Sequence, residues 1–215
     1  MEQMKILIAV PTFENIYPDT FKSIYDLDKG NHQTRFEFVR GYDVATARNR
    51  AVSIAMEAQA DYLLMLDNDV VIPHNGLLSM LSREKDVVLG YYAHRDADNI
   101  YRGRTCLCKI QGANGEIYYN YPIESEYTAE EMARFRAHNN GAIQIHGGGM
   151  GCALIKMDVF DRISWPWFKW VVYEDGHGTL SEDLYFCEQC RMNNIKIYMD
   201  PQVNCGHMLR HVQEV

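Results

Sequence analysis

The sequence predicts an α/β fold, a three-layer α/β/α sandwich around a mostly parallel central sheet, on three observations. Short apolar β runs alternate with helical stretches through residues 1–100. Two of those runs end abruptly in turn-forming residues, Pro11-Thr12-Phe13 and Asp67-Asn68-Asp69. Hydrophobic residues make up 47% of the 215, with only six prolines, enough apolar material for a substantial core.

The elements follow in order. Lys5–Val10 (KILIAV) is an apolar run stopped by Pro11, the pattern of a buried central strand. Pro18 suits the first turn of a helix, and Thr20–Leu27 carries apolar residues at helical spacing. Thr34–Val39 reads as a second strand. Across Val44–Ala60, residues Ala47, Ala51, Ile54, Ala55 and Ala58 form one stripe, so a helix lies on the sheet there. Tyr62–Leu66 is a third strand, Asn75–Ser82 a helix and Asp86–Tyr92 a fourth strand. Ligand groups gather at the carboxyl ends of strands in such sheets, so the two polar turns should line one crevice.

The second half is less regular. Thr105–Ile110 and Glu116–Asn120 flank a glycine-containing hairpin turn. Thr128 with Glu131 makes a capping box for a helix through about His138. Ala142–His146 and Cys152–Lys156 are β runs separated by Gly147-Gly148-Gly149. Ser181 starts a helix with Glu182 and Asp183 in its first turn, where carboxylates are favoured. Ile195–Met199 is the last clear strand. With no repeat and no linker, the reading is one domain over residues 1–215.

A formal charge of −8 argues against a nucleic-acid-coating protein. An acidic protein still binds a nucleoside diphosphate when a divalent cation mediates the contact. No stretch approaches the ~20 apolar residues of a membrane span, and the opening MEQMK lacks the layout of a signal peptide. The expectation is a cytoplasmic protein without a transmembrane segment. Of six cysteines, Cys187 and Cys190 share a helical face with Leu184 in the manner of core residues. Buried, reduced thiols are the reading taken; a zinc site built from cysteine pairs is the alternative.

Four constellations carry chemistry. Asp67-Asn68-Asp69 follows an apolar strand, and its hard oxygen ligands suit Mg²⁺ or Mn²⁺, although Asp and Asn are also ordinary turn residues. His207 lies just beyond the last strand, where an imidazole can supply a further ligand. Glu182 and Asp183 offer a carboxylate for proton transfer, or simply cap a helix dipole. Gly147-Gly148-Gly149 with Gly151 lets backbone press against a substrate, or makes a tight turn.

In this order these pieces resemble the GT-A glycosyltransferases, particularly family-2-like bacterial and phage enzymes. The likeness runs from Ile6–Thr12 and the Ala-Arg-Asn-Arg stretch at Ala47–Arg50, through Leu66-Asp67-Asn68-Asp69, to Gly148–Leu154, Ser181–Cys187 and Cys205-Gly206-His207. It implies a nucleotide-binding half over 1–100 and an acceptor-side half over 101–215. It implies that Pro11, Thr12 and Phe13 touch the nucleoside, with Phe13 or Tyr42 near the base. Asp43 and Arg48 would approach the base or phosphate, Asp67 the ribose and Asn68 the sugar–phosphate region. Asp69 and His207 would bind Mn²⁺ or Mg²⁺, and Asp183 would be the general base, with Glu182 beside it. Gly148, Gly149 and Trp167 would face the acceptor, although a core role for the Trp165–Trp170 aromatics is equally open.

The chemistry so implied is transfer of a sugar from a nucleoside-diphosphate sugar to an acceptor hydroxyl, usually with inversion. A UDP-sugar is favoured over a GDP-sugar as donor; a sugar, lipid-linked sugar or protein is the acceptor. Two rivals stand beside it. A nucleotidyltransferase would carry a glycine-rich basic loop where Pro11-Thr12-Phe13-Glu14 stands. A binding module that has lost catalysis would not need Asp69, His207 and Asp183 together.

Overall fold

The computed structural model describes residues 2–13, 15–92, 106–111, 117–120, 140–173 and 179–208. In chain order the first half comprises β1 (Lys5–Thr12), α1 (Pro18–Tyr25), β2 (Gln33–Arg40), α2 (Val44–Glu57), β3 (Tyr62–Leu66), β4 (Val70–Val71), α3 (Gly76–Ser82) and β5 (Val87–Tyr91). The second half comprises β6 (Cys106–Gln111), β7 (Ile117–Asn120), β8 (Ile143–Ile145), β9 (Gly147–Gly148), β10 (Cys152–Lys156), α4 (Val159–Arg162), β11 (Val171–Val172) and β12 (Thr179–Leu180). It closes with α5 (Glu182–Met192), β13 (Ile197–Asn204) and β14 (Gly206–His207).

Seven strands form the central sheet in the order β2-β1-β3-β10-β5-β13-β8. β10 runs antiparallel to β3 and β5, and β8 antiparallel to β13; the other five share one direction. One face buries Ala47, Ala51 and Ala55 of α2, Phe160 of α4, and Phe186 and Cys190 of α5. The opposite face buries Ile24 of α1 with Leu77, Met80 and Leu81 of α3. Helices therefore cover both faces of a mostly parallel sheet, the three-layer arrangement the sequence predicts.

Several boundaries differ for identifiable reasons. β1 continues through Pro11, which pairs with Val39. The Lys5 carbonyl accepts from Asp61 beside β3, so alternate β1 residues, Pro11 among them, face β3. The β1–β3 ladder ends at Ala9, so the missing proline donor forfeits no ladder bond. The α2 helix stops at Glu57 because Gln59 adopts a left-handed conformation (φ 50°). Ile195 donates its N–H to the Cys190 carbonyl (2.8 Å), closing α5, so the last long strand begins at Ile197. β6 and β7 pair antiparallel as the expected hairpin, while the helix expected over Thr128–His138 lies outside the described residues. Among the described residues no helix is long and apolar enough to cross a membrane.

A buried ion pair ties the end of α3 to β13. Arg83 grips the fully buried Asp200 carboxylate with Nε and Nη2, each at 2.9 Å, and donates to the Asn140 carbonyl. Gly141 is required beside it. Its φ is +83°, and a Cβ there would meet Arg83 Nη1 at 2.5 Å.

Candidate functional site

The strand ends bring the two polar turns together. Asn15 supplies the tie: its carbonyl accepts from Thr12 Oγ1 (2.8 Å) and from Asn68 Nδ2 (2.7 Å). Tyr17 N–H donates to the Asn68 carbonyl at 3.0 Å, fixing the second turn against the chain that leaves the first. Between them opens a cleft of about 390 Å³ lined by Pro11, Thr12, Phe13, Tyr42, Asp43, Asp67, Asn68 and Asp69, among others. Phe13 and Tyr42 stand 71% and 97% exposed at its rim. Its lining carries three aspartates and, among the described residues, no lysine or arginine.

Asp43 closes the cleft on the α2 side and also caps that helix. Its carboxylate accepts from the Thr46 N–H (2.8 Å) and Thr46 hydroxyl (3.0 Å). The chain can turn here because Gly41 lies against the first helical turn: a Cβ would meet the Ala47 nitrogen at 2.5 Å.

The two aspartates of the Asp67–Asp69 turn engage different partners. Asp69 meets His207. Strand β14 pairs with β4, placing His207 opposite Val70, and Met208 N–H donates to the Asp69 carbonyl (2.8 Å). The His207 Nε2 then lies 3.5 Å from Asp69 Oδ1. Two ligands each about 2.1 Å from one cation, at right angles, are about 3 Å apart. Asp69 and His207 are therefore close enough to share a metal ion, whose remaining ligands would have to come from outside the protein groups described. Among the described residues no group of three or more His, Cys, Asp or Glu is placed to hold a metal. A cation here would draw on those outside ligands.

Asp67 turns the other way, toward Arg48. That arginine is 1% exposed, and its Nη2 donates to Asp67 Oδ1 at 2.9 Å. Its Nη1 donates to Glu182 Oε1 at 2.9 Å and pairs with the Asp183 carboxylate. The resemblance sets Arg48 against base or phosphate; the structure buries its guanidinium among three carboxylates drawn from β3's end and α5's start. Burial works to lower the Arg48 pKa, but the charges of Asp67 and then Glu182 outweigh it, and the net direction is upward. Ser181 caps α5 by accepting from the Leu184 N–H (3.4 Å), which orients both acids of the first turn. Glu182 is buried, whereas Asp183 keeps partial exposure.

The residues read as acceptor-facing lie outside the cleft lining. Gly148 belongs to β9 and pairs with Cys106, with its carbonyl near the Cys187 thiol; Gly149 follows it, half-buried. Trp167 is half-buried against the core. Its indole N–H donates to the Phe160 carbonyl (3.0 Å), and its ring lies edge-on to Phe160 and Trp165. Its polar atom is thus spent inside the protein. Cys152, Cys187 and Cys190 are free thiols and buried, and Cys205 is buried as well. Burial pushes the Cys187 thiol up to about 12 and raises Cys190 as well.

Two residues without an assigned role, and Gly151 from the glycine-rich stretch, prove central. Asn49, buried beside Arg48, accepts from the Trp167 and Phe168 N–H groups (3.1 Å each) and donates to the Phe168 carbonyl (2.7 Å). Tyr92 accepts from the Gly151 N–H (2.9 Å) and stands edge-on to the His207 ring, centroids 5.2 Å apart. The Gly151 carbonyl accepts from the Asp67 N–H (2.9 Å), and a Cβ there would meet Tyr92 Oη at 2.3 Å and Asp67 Oδ2 at 2.8 Å. The Ala-Arg-Asn run was the one available sequence signal for Asn49; a tyrosine ending a strand carries none.

No protein-family model and no curated protein sequence matches this chain. Solved structures do. A197 from STIV superposes with a TM-score of 0.63 at 20% identity, over 96% of this chain and 87% of that one. GalNAc-T7, solved with UDP, GalNAc and Mn²⁺, superposes with a TM-score of 0.55 at 11% identity. That match takes in 97% of this chain but 44% of GalNAc-T7, so this chain spans less than half of that protein's length. The likeness establishes the fold: the chain has the GT-A architecture.

Proposed function

We propose that this chain is a metal-dependent glycosyltransferase, family-2-like in type, transferring a sugar from a nucleoside-diphosphate sugar to an acceptor hydroxyl with inversion. The observation that supports it is the charge of the cleft. A diphosphate entering among Asp43, Asp67 and Asp69 meets no basic side chain among the described lining residues, so it requires a cation. Asp69 and His207, 3.5 Å apart at the cleft's edge, are the pair suited to hold Mn²⁺ or Mg²⁺ there. Such an ion would stabilise the negative charge left on the departing diphosphate.

In this reading the base stacks near Phe13 or Tyr42, Asp67 meets the ribose and Asn68 the sugar–phosphate region. The acceptor oxygen attacks the anomeric carbon, the bond to the diphosphate breaks with its electron pair, and the acceptor proton passes to Asp183. Arg48 does not touch the diphosphate; it holds Asp67 on the donor side and Asp183 on the acceptor side in one frame. Gly148 and Gly149 belong to the acceptor side as backbone.

The test is a panel of UDP- and GDP-sugars with Mn²⁺ and Mg²⁺, reading nucleotide affinity and released nucleoside diphosphate. UDP binding should tighten on the order of 10–100-fold with metal, and Asp69→Asn or His207→Ala should abolish that gain. Nucleotide affinity that ignores metal would overturn the reading. Metal-dependent binding with no turnover on any donor would leave a binding module.

A further inference from the structure

We propose that the outer edge of β2 is a self-complementary surface through which two copies of this chain join their central sheets antiparallel, about a two-fold axis at Phe36. β2 ends the seven-stranded sheet, and among the described residues nothing pairs with its outer edge. It is eight residues long, carries no proline, lysine or bulge, and keeps continuous register with β1. Natural sheets usually guard such an edge with one of those features or with charged side chains, which β2 carries only as Arg35 and Glu37, paired with each other along the strand, and the terminal Arg40.

The hydrogen-bonding direction limits the registers. Gln33 N–H donates to the Met4 carbonyl, so Gln33, Arg35, Glu37 and Val39 face β1. Thr34, Phe36, Phe38 and Arg40 therefore direct their backbone groups outward. Two central antiparallel pairings satisfy those groups. One is centred on Glu37; it sets Glu37 against its own copy and Arg35 against Val39. The other is centred on Phe36; it sets Arg35 of each copy opposite Glu37 of the other, twice, and Phe36 opposite Phe36. Opposed like charges disfavour the first, and two opposite-charge pairs at closely spaced positions favour the second.

The apolar face agrees. Phe21 of α1 lies edge-on to Phe36 (6.4 Å) and Phe36 edge-on to Phe38 (4.7 Å), an aromatic strip running along the edge. Phe21, Phe38 and the nearby Tyr25 are exposed. The Phe36-centred register brings the two strips together and places Thr34 of one copy beside Phe38 of the other. Charge and aromatic pattern thus select the same partner, a second copy.

Sedimentation of the full chain at about 150 mM salt, where charge interactions reach about 8 Å, should show a dimer. Glu37→Arg and Arg35→Glu each place like charges opposite one another and should weaken self-association at least tenfold. An equimolar mixture of the two variants restores both pairs and should dimerise as tightly as the unmodified chain, which also shows that neither variant is misfolded. A monomeric unmodified chain at concentrations on the order of 100 µM would sink the proposal. So would single variants that dimerise unimpaired, or a mixture that stays monomeric.

Discussion

Replacing Arg48 by methionine removes a buried cation that answers three carboxylates, and the structure indicates how much stability should go with it. Glu182 is 4% exposed and pairs with Arg48 at 2.9 Å, so losing the guanidinium strands a carboxylate away from water. Breaking a buried pair from one side destabilises by about 3–5 kcal/mol. Asp67 and Asp183 retain more exposure and can rehydrate, so each adds at most about 1 kcal/mol. For a chain of this length each kcal/mol lowers Tm by about 2–4 °C, so Arg48→Met should melt on the order of 10–15 °C below the parent. Circular dichroism melts would read this directly. The double variant Arg48→Met, Glu182→Gln removes the stranded charge and should recover at least half of the loss. A drop below about 3 °C for Arg48→Met, or no recovery in the double variant, would refute the claim that Arg48 neutralises buried charge.

Three further outcomes follow from the same geometry. Asp183→Asn should leave donor affinity nearly unchanged and reduce turnover about 10²–10⁴-fold, measured as a kcat loss at constant KM; full activity would move the base assignment elsewhere. Gly151→Ala forces a methyl group against Tyr92 Oη and Asp67 Oδ2, so it should destabilise by about 1–3 kcal/mol in urea unfolding, with partial recovery when Tyr92→Phe removes the nearest atom. The Cys187 thiol is raised from 9.0 to about 12 in the fold, so its contribution is fully present below pH 9 and is lost as pH rises toward 12. Unfolding free energy should therefore fall by about 1.4 kcal/mol per pH unit over that window, and Cys187→Ala should flatten the slope.

How much of this was legible in the sequence depends on how local each determinant is. Strands β1, β3 and β5 are apolar runs whose own composition dictates burial, and Ser181 announces α5 by its capping chemistry; both read directly. The insertion of β10 against the grain between β3 and β5 has no such signature, because the partner of an apolar strand is chosen by tertiary packing. The nearness of Asp69 and His207 was reachable only through resemblance, since two short bridges, β4 and β14, set their approach. Arg48 shows the limit most clearly. The resemblance alone sets Arg48 against base or phosphate, and on a helix whose stripe is alanine nothing local marks it for burial. Its burial follows from carboxylates arriving on two other elements, one after β3 and two at the start of α5, and no local pattern around residue 48 encodes them. That same convergence leaves the described cleft lining without the arginine the resemblance had offered it, so in the proposed reading the positive charge for a diphosphate comes from an ion entering at Asp69 and His207.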